Sequence, residues 1–235
     1  MISTGQNLYD LVTALNGGHS IDIDLLDVLV DTARTIIEEE RPWQVLRKTD
    51  SSKTVTTAGT WETAIDLSTI TDFSRFYVNQ DGVVVKLFDG NERIQYYTLK
   101  TYDQRLEYKN AGDTCVYNEN TKQLYLNGLV PFSGTLYIPY VSTTTPVDLS
   151  VDTAVWSPFP SRFLPLLAYY ALGLYLGGVD YDSVSARMAP NQLETMRALK
   201  NAAVTWDNEK VLATLQSNDP TDWAGSYNRN SVHVS

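Results

Sequence analysis

The sequence has few of the residue types that carry enzyme and metal chemistry. Its 235 residues include one cysteine and two histidines. Cys115 cannot form an internal disulfide, and His19 and His233 lie in positions poorly suited to a Ser-His-Asp or Cys-His arrangement. The chain also lacks a glycine-rich phosphate loop and paired cysteine ligands. We therefore expect a protein that is not an enzyme and holds no cofactor or metal.

Positive charge is scarce as well. Lysine and arginine number 18 against 28 acidic residues, so the formal net charge is -10. Wrapping a nucleic acid by neutralising its phosphates requires clustered bases, and this composition disfavours that mode of binding. The start of the chain, MISTGQNLYD, has neither a basic region nor an apolar signal core. We expect a protein made and kept in a reducing, cytosol-like compartment.

Long apolar runs are limited to one segment, Phe163 to Gly177, which contains no charged residue. These fifteen residues are shorter than the roughly 20 needed to cross a bilayer, so the segment predicts a buried helix and no membrane association. Ser161 is a candidate N-cap, and Gly177-Gly178 provides a left-handed stop. Because buried tyrosines usually need a hydroxyl partner, we treat three tyrosines of this helix as candidate interface residues. They are Tyr169, Tyr170 and Tyr175.

Helical periodicity also marks both ends of the chain. A short helix is predicted over 4–15, and a longer one follows Asp22 and ends near Pro42. In the longer helix we expect one broad stripe packed on the core, formed by Leu25, Leu29, Ala33 and Ile36 together with the flanking Leu26, Val30 and Ile37. A further amphipathic helix is predicted over 190–216.

Four acidic residues lie along one side of the longer N-terminal helix, at spacings of three, four and seven residues. A solvated helix face explains this arrangement, and so does a surface facing a polyanion or a channel; a metal site is a third alternative, although no histidine joins the acids. We carry the four residues forward as candidate channel-facing positions and expect them to be dispensable for folding. They are Asp24, Asp27, Asp31 and Glu38.

The middle of the chain reads as β structure. Between residues 43 and 145, short runs rich in Val, Ile, Tyr, Phe and Thr alternate with regularly spaced turn signals. Two hairpins are predicted, 83–88 with 94–100 through Asp89-Gly90, and 114–117 with 122–126. A last strand is expected over 135–141. This spacing suggests a small antiparallel barrel or sandwich of about six strands.

Together these patterns predict an α+β fold in which a helical bundle domain carries an inserted antiparallel β barrel or sandwich. The expected bundle comprises residues 1–43 and 147–216, the β insertion 44–146, and a flexible polar tail 217–235. The tail is too polar to form a core of its own. It nevertheless contains Trp223 and Tyr227, which we consider candidate interface residues. They either order on a partner, dock back on their own domain or stay mobile.

The order of these segments resembles the head-to-tail adaptor proteins of tailed bacteriophages, most closely the tubular adaptor, or gatekeeper, family of short-tailed phages. The likeness spans about residues 5–216 and rests on loose patterns of hydrophobic and turn residues; the chain departs from the family in length and in its polar tail. The segments that carry it are EEERPWQVLRK, NENTKQLYLNGLVPFSGTLYIPYV and WSPFPSRFLPLLAYYALGLYLGG.

That resemblance implies a structural virion protein at the neck of the particle, made in the host bacterial cytoplasm. It would form a ring, usually of twelve copies, that binds the portal protein and a tail or nozzle protein. DNA would pass through the ring without sequence-specific binding, which agrees with an acidic chain. Tyrosine outnumbers phenylalanine fifteen to six, as is typical of interface-rich proteins. The alternatives are a binding module of a phage tail or host-contact structure, with a β domain on a helical base, and a hydrolase with an unrecognised carboxylate site.

Overall fold

The chain divides into two compact units in the computed structural model. One unit contains residues 1–45 and 144–235, and the other contains residues 46–143. The structure describes residues 5–56, 62–77, 83–147, 149, 156–178 and 181–216. The boundaries expected from the sequence, after residues 43 and 146, lie two and three residues from these divisions.

In the first unit, here the helical unit, the helices are α1 (Gly5–Leu15), α2 (Ile23–Glu39), α3 (Leu164–Tyr175), α4 (Tyr181–Arg187) and α5 (Pro190–Gln216). Short 3-10 turns cover Gln44–Leu46, at the division between the units, and Ser161–Phe163. Among the described residues, the principal helix contacts are those of α3 with α1, α2, α4 and α5. The described residues do not form the helical bundle domain that we expected from the sequence. The other helices pack around one short apolar helix instead.

The central position of α3 follows from its composition. Most of its side chains are buried, including Leu166, Leu167 and Leu172, because a helix that is apolar on every face must be enclosed. The predicted cap at Ser161 is replaced by the 3-10 turn, and Phe163 occupies the N-cap position without a side-chain bond. The predicted stop is confirmed: Gly177 has φ +95°, and the Gly178 N–H donates to the Gly173 carbonyl at 2.9 Å.

Gly173 allows α4 to approach α3 closely. A Cβ atom at this position would lie 2.4 Å from Val184 Cγ1 and 3.0 Å from Val184 Cβ. We expect Gly173→Ala to destabilise the protein by about 1–2 kcal/mol, because overpacking outweighs the gain in helix propensity. Adding Val184→Ala should recover part of that loss. Urea unfolding of both single variants and the double variant tests this, and strictly additive effects would contradict a direct clash.

The described residues of the second unit, here the β unit, form eight strands. They are β1 (Arg47–Val55), β2 (Glu62–Asp66), β3 (Phe73–Phe76), β4 (Val83–Phe88), β5 (Ile94–Lys100), β6 (Thr114–Asn118), β7 (Gln123–Asn127) and β8 (Gly134–Ser142). Hydrogen-bonded neighbours follow the order β1-β8-β4-β5-β6-β7-β2, and β3 also pairs with β8. Both predicted hairpins are confirmed as antiparallel pairs, β4 with β5 and β6 with β7.

The prediction of an antiparallel barrel or sandwich is wrong. Strands β5 and β6 run parallel, with Thr98 opposite Thr114 and Lys100 opposite Val116, so the sheet is mixed and curls into a half-barrel. The connection, residues 101–113, contains the 3-10 turn Tyr102–Gln104 and further turns. These residues carry the chain back along the sheet, as a parallel pairing requires.

One face of the sheet encloses the core of the β unit. Strand alternation directs one side chain in two toward this core, which explains the burial of Val85 and Leu87 in β4 and of Leu124 and Leu126 in β7. Phe73, Phe76, Leu99 and Tyr117 pack at its margin. The buried members are Val55, Ile65, Leu67, Val85, Leu87, Tyr97, Cys115, Leu124, Leu126, Val130, Phe132, Leu136 and Ile138.

Tyr97 is the polar exception in this core. Its hydroxyl is buried and has no hydrogen-bond partner among the described residues. Burial, with a smaller effect of Cys115, raises the pKa of Tyr97 to about 12. Because the folded-state pKa exceeds the unfolded one of about 10, the contribution of Tyr97 to stability is complete below pH ~10 and is lost as the pH rises through about 12.

We therefore expect Tyr97→Phe to leave the free energy of unfolding at pH 7 unchanged or slightly higher, because no hydrogen bond is lost. The same variant should lose less stability than the wild type between about pH 9 and pH 11. Denaturant unfolding at several pH values measures both effects. A clear loss of stability at pH 7, or an unaltered alkaline decline, would contradict this account.

Candidate assembly surface

The acidic row of α2 does not form one surface. Glu38 is 4% exposed and accepts hydrogen bonds from Thr144 N at 3.1 Å, Thr144 Oγ1 and Trp156 Nε1 at 3.0 Å. Arg34 Nη1 lies 3.1 Å from Glu38 Oε2 and also donates to the Thr144 carbonyl at 3.0 Å. The carboxylate of Glu38 therefore fastens the returning chain to α2 at Thr144 and at Trp156.

Two other acids of the row are also engaged within the helical unit. Asp27 Oδ1 accepts from Leu149 N at 2.9 Å. Asp31 accepts from Arg34 Nε at 2.8 Å, and its side chain is partly exposed. Of the four candidate channel-facing residues, Asp24 alone is fully on the surface. The expectation that all four carboxylates face solvent or a channel is wrong for Glu38, since a buried acid in four polar contacts cannot line a channel.

The apolar stripe of α2 also differs from the expected one. The buried residues are Leu26, Val30, Ala33 and Ile37, which recur at spacings of four, three and four. The neighbouring row lies on the outer side of the helix. Leu25 is 45% exposed and Val28 is 62% exposed. We call this row the α2 outer face. It consists of Leu25, Val28, Leu29, Thr32 and Ile36.

The α2 outer face is unusual for a helix that already has a buried side. Leu29 and Ile36 are half-buried, and Thr32 is exposed with its hydroxyl donating to the Val28 carbonyl at 2.7 Å. The threonine therefore presents its methyl group rather than an unsatisfied polar atom. Asp24 lies one turn before Val28 on the same side. The result is a short apolar row with an acidic margin, a type of surface that marks protein interaction sites when it is contiguous.

The candidate interface tyrosines of α3 have different environments. Tyr170 is fully buried, Tyr169 is half-buried, and Tyr175 is 44% exposed beside the similarly exposed Leu176. Of the three, Tyr175 has the exposure that a contact with another subunit requires. Trp223 and Tyr227 lie outside the described residues.

Two anchoring residues were not found by sequence reasoning. Asp207 on α5 is fully buried and accepts from Gln44 N and Val45 N, each at 3.0 Å, with Arg41 Nη2 3.3 Å away. Trp156 stacks on Phe159 with ring centroids 4.1 Å apart. A local pattern does not identify Asp207, because its partners lie more than 160 positions earlier.

The described residues contain little that resembles a catalytic or metal centre. Within these ranges, no group of three or more His, Cys, Asp or Glu side chains could hold a metal ion. Cys115 is fully buried, and burial raises the pKa of its thiol far above the usual range, so the thiol stays protonated. His19 is exposed, and His233 lies outside the described ranges.

Comparison with protein-family models and with curated proteins finds no match to this chain. No helix in the described part of the chain is both long enough and apolar enough to span a membrane. The surface chemistry of the helical unit, and above all the α2 outer face, is therefore the basis for assigning a role.

Proposed function

We propose that this chain is a structural virion protein that assembles into a ring adaptor between the portal and the tail of a bacteriophage and lets DNA pass through its centre. The observation that carries the proposal is the α2 outer face. Leu25 and Val28 keep about half of their side-chain surface in water on a helix whose other side is fully packed. Burial of each such side chain in a contact would contribute about 1–2 kcal/mol.

Charge supports the same role. A conduit must not hold the DNA that moves through it, and a protein with a net charge of -10 repels phosphates instead of gathering them. Glu38 is buried, and Asp27 and Asp31 each have a partner within the helical unit, whereas Asp22 and Asp24 are exposed. The proposal therefore does not require the acidic row of α2 to line the channel.

Assembly is the direct test. We expect size-exclusion chromatography with light scattering, alone and with a candidate portal protein, to yield a large species that electron microscopy shows as a ring. Val28→Glu should abolish it, because a charge would be buried in the contact. Leu129→Glu, which changes a similarly exposed apolar residue of the β unit, is the matched control and should assemble normally. A monomer or small oligomer under both conditions would contradict the proposal.

A second candidate, a binding module, is favoured by one feature of the β unit. Tyr96, Lys86 and Tyr137 are register partners on adjacent strands and form a row across β5, β4 and β8. The Lys86 ammonium lies 5.0 Å from the Tyr137 ring, and burial lowers the pKa of Lys86. A ligand-binding monomer or trimer in the same light-scattering experiment would favour this second function over the ring.

A further inference from the structure

The α2 outer face requires an occupant of opposite or neutral charge. Residues 22–31 contain four acids and no base, and Asp24 and Asp31 lie one turn on either side of Val28. Two α2 outer faces packed against each other would bring these acids together, and like charges in a contact cost several kcal/mol. A second copy can therefore cover the face only through a different, less acidic surface.

Helix α5 offers such a surface. Its inner side contains the buried Met196, Ala203 and Asp207, and its opposite side is exposed along five residues at spacings of four, three, four and three. All five are small and uncharged. We call this row the α5 outer face. It consists of Asn191, Thr195, Ala198, Ala202 and Thr205.

The α5 outer face is less polar than its composition indicates. Thr195 Oγ1 donates to the Asn191 carbonyl at 3.0 Å, and Thr205 Oγ1 donates to the Asn201 carbonyl at 2.9 Å. Both hydroxyls are thus satisfied inside the helix, and their burial in a contact would leave no donor unpaired. The two alanines leave the centre of the face low, so larger side chains of another helix can fit between its ridges.

Charge distinguishes this surface from the α2 outer face. Arg197 is exposed beside Ala198 and makes no ion pair with any described residue. Asp24 is likewise exposed and makes no ion pair with any described residue. The exposed charges along α5 balance, with Glu194 and Glu209 against Arg197 and Lys210, whereas the α2 outer face is bordered by acids alone. Asp24 and Arg197 therefore provide one pair of opposite charge.

We infer that the α2 outer face of one copy packs on the α5 outer face of the next copy, with Leu25 and Val28 against Ala198 and Ala202 and with Asp24 near Arg197. The two faces are different surfaces of the same chain, so the contact is heterologous and repeats from copy to copy until it closes. This inference rests on the proposed ring and names the surfaces that would build it.

Cross-linking tests the contact directly. The double variant Val28→Cys with Ala202→Cys, treated with a short bismaleimide after assembly, should yield a ladder of covalent oligomers. The buried Cys115 should not react with the reagent. The wild-type protein, treated in the same way, therefore measures the background of cross-linking. Each single-cysteine variant should remain a covalent monomer, since one contact joins position 28 to position 202.

Exchanging the charges of Asp24 and Arg197 is a second, independent test of the contact. Asp24→Arg and Arg197→Asp should each raise the concentration at which half of the chain is assembled by about tenfold, and the double variant should recover to within about threefold of the wild type. Circular dichroism should show the same helix content in all three variants.

The outcomes separate this inference from the proposed function. Assembled rings that give no ladder, or a covalent dimer from Val28→Cys alone, would overturn the α2–α5 contact and leave the ring intact. A chain that stays monomeric with and without the portal would overturn the proposed function, and this contact with it.

Discussion

Replacing Glu38 with alanine is expected to lower the free energy of unfolding of the helical unit by about 3–5 kcal/mol. The change removes the acceptor for Thr144 N, Thr144 Oγ1 and Trp156 Nε1, and it leaves the buried guanidinium of Arg34 with Asp31 as its remaining carboxylate. A buried charge that loses its partner retains its desolvation cost, and this explains the size of the effect. Chemical denaturation followed by tryptophan fluorescence measures it, because Trp156 reports on the same site.

The matched control is Asp24→Asn in the same acidic row. Asp24 is exposed, so its neutralisation should change the free energy of unfolding by about 0.5 kcal/mol or less. Glu38→Gln should fall between the two, since it keeps an oxygen for Trp156 but loses the charge opposite Arg34. Equal effects of Glu38→Ala and Asp24→Asn would show that the buried network does not stabilise the fold.

Glu38 also shows why the interpretation of the acidic row as one solvent-facing or channel-facing surface was wrong. Helical spacing correctly placed the four acids on one side of α2, but it could not distinguish a solvated side from one covered by the chain about 110 residues later. One local signal was available. Arg34 stands three residues after Asp31 and four before Glu38, and a base inside an acidic row indicates paired rather than solvated carboxylates.

The apolar positions of α2 present a related difficulty. Leucine, valine and isoleucine occur in adjacent pairs, 25 with 26, 29 with 30 and 36 with 37, so the apolar arc is wider than one packing surface. Periodicity predicts the helix but not which of two neighbouring rows faces the core. The structure buries Leu26, Val30 and Ile37 and leaves the other row outward. Leu25, which sequence reasoning placed in the core, is one of the two exposed residues on which the proposed assembly depends.

In the β unit, local sequence signals predicted the hairpins correctly, but the sequence did not predict the pairing of strands that are joined by a longer connection. Asp89-Gly90 correctly predicted the β4–β5 hairpin, because a short polar turn constrains both strands that flank it. The parallel pairing of β5 with β6 depends on how residues 101–113 travel back along the sheet. A parallel connection usually contains a helix, and this one instead uses turns, so its sequence resembled an ordinary loop between antiparallel strands.

Asp207→Ala is expected to be the second strongly destabilising substitution, with a loss of about 2–4 kcal/mol in the free energy of unfolding. The carboxylate of Asp207 is fully buried and accepts two backbone N–H groups, from Gln44 and Val45, each at 3.0 Å. Alanine would leave both donors without this acceptor and would remove the carboxylate 3.3 Å from Arg41 Nη2. Donors deprived of a partner inside a protein cost more than the net value of the bonds themselves.

The neighbouring Asn208 provides the control for Asp207. Asn208 Oδ1 accepts from Arg41 Nη2 at 3.0 Å, but this side chain is exposed, so Asn208→Ala should cost less than about 1 kcal/mol. Asp207→Asn should retain one backbone bond and fall between the two alanine variants. Hydrogen exchange of the Gln44 and Val45 amides separates the mechanism from a general loss of packing: their protection should fall sharply in Asp207→Ala and persist in Asn208→Ala. Unchanged protection in Asp207→Ala would mean that these amides are held by other groups, and that α5 does not anchor the chain where it leaves the helical unit.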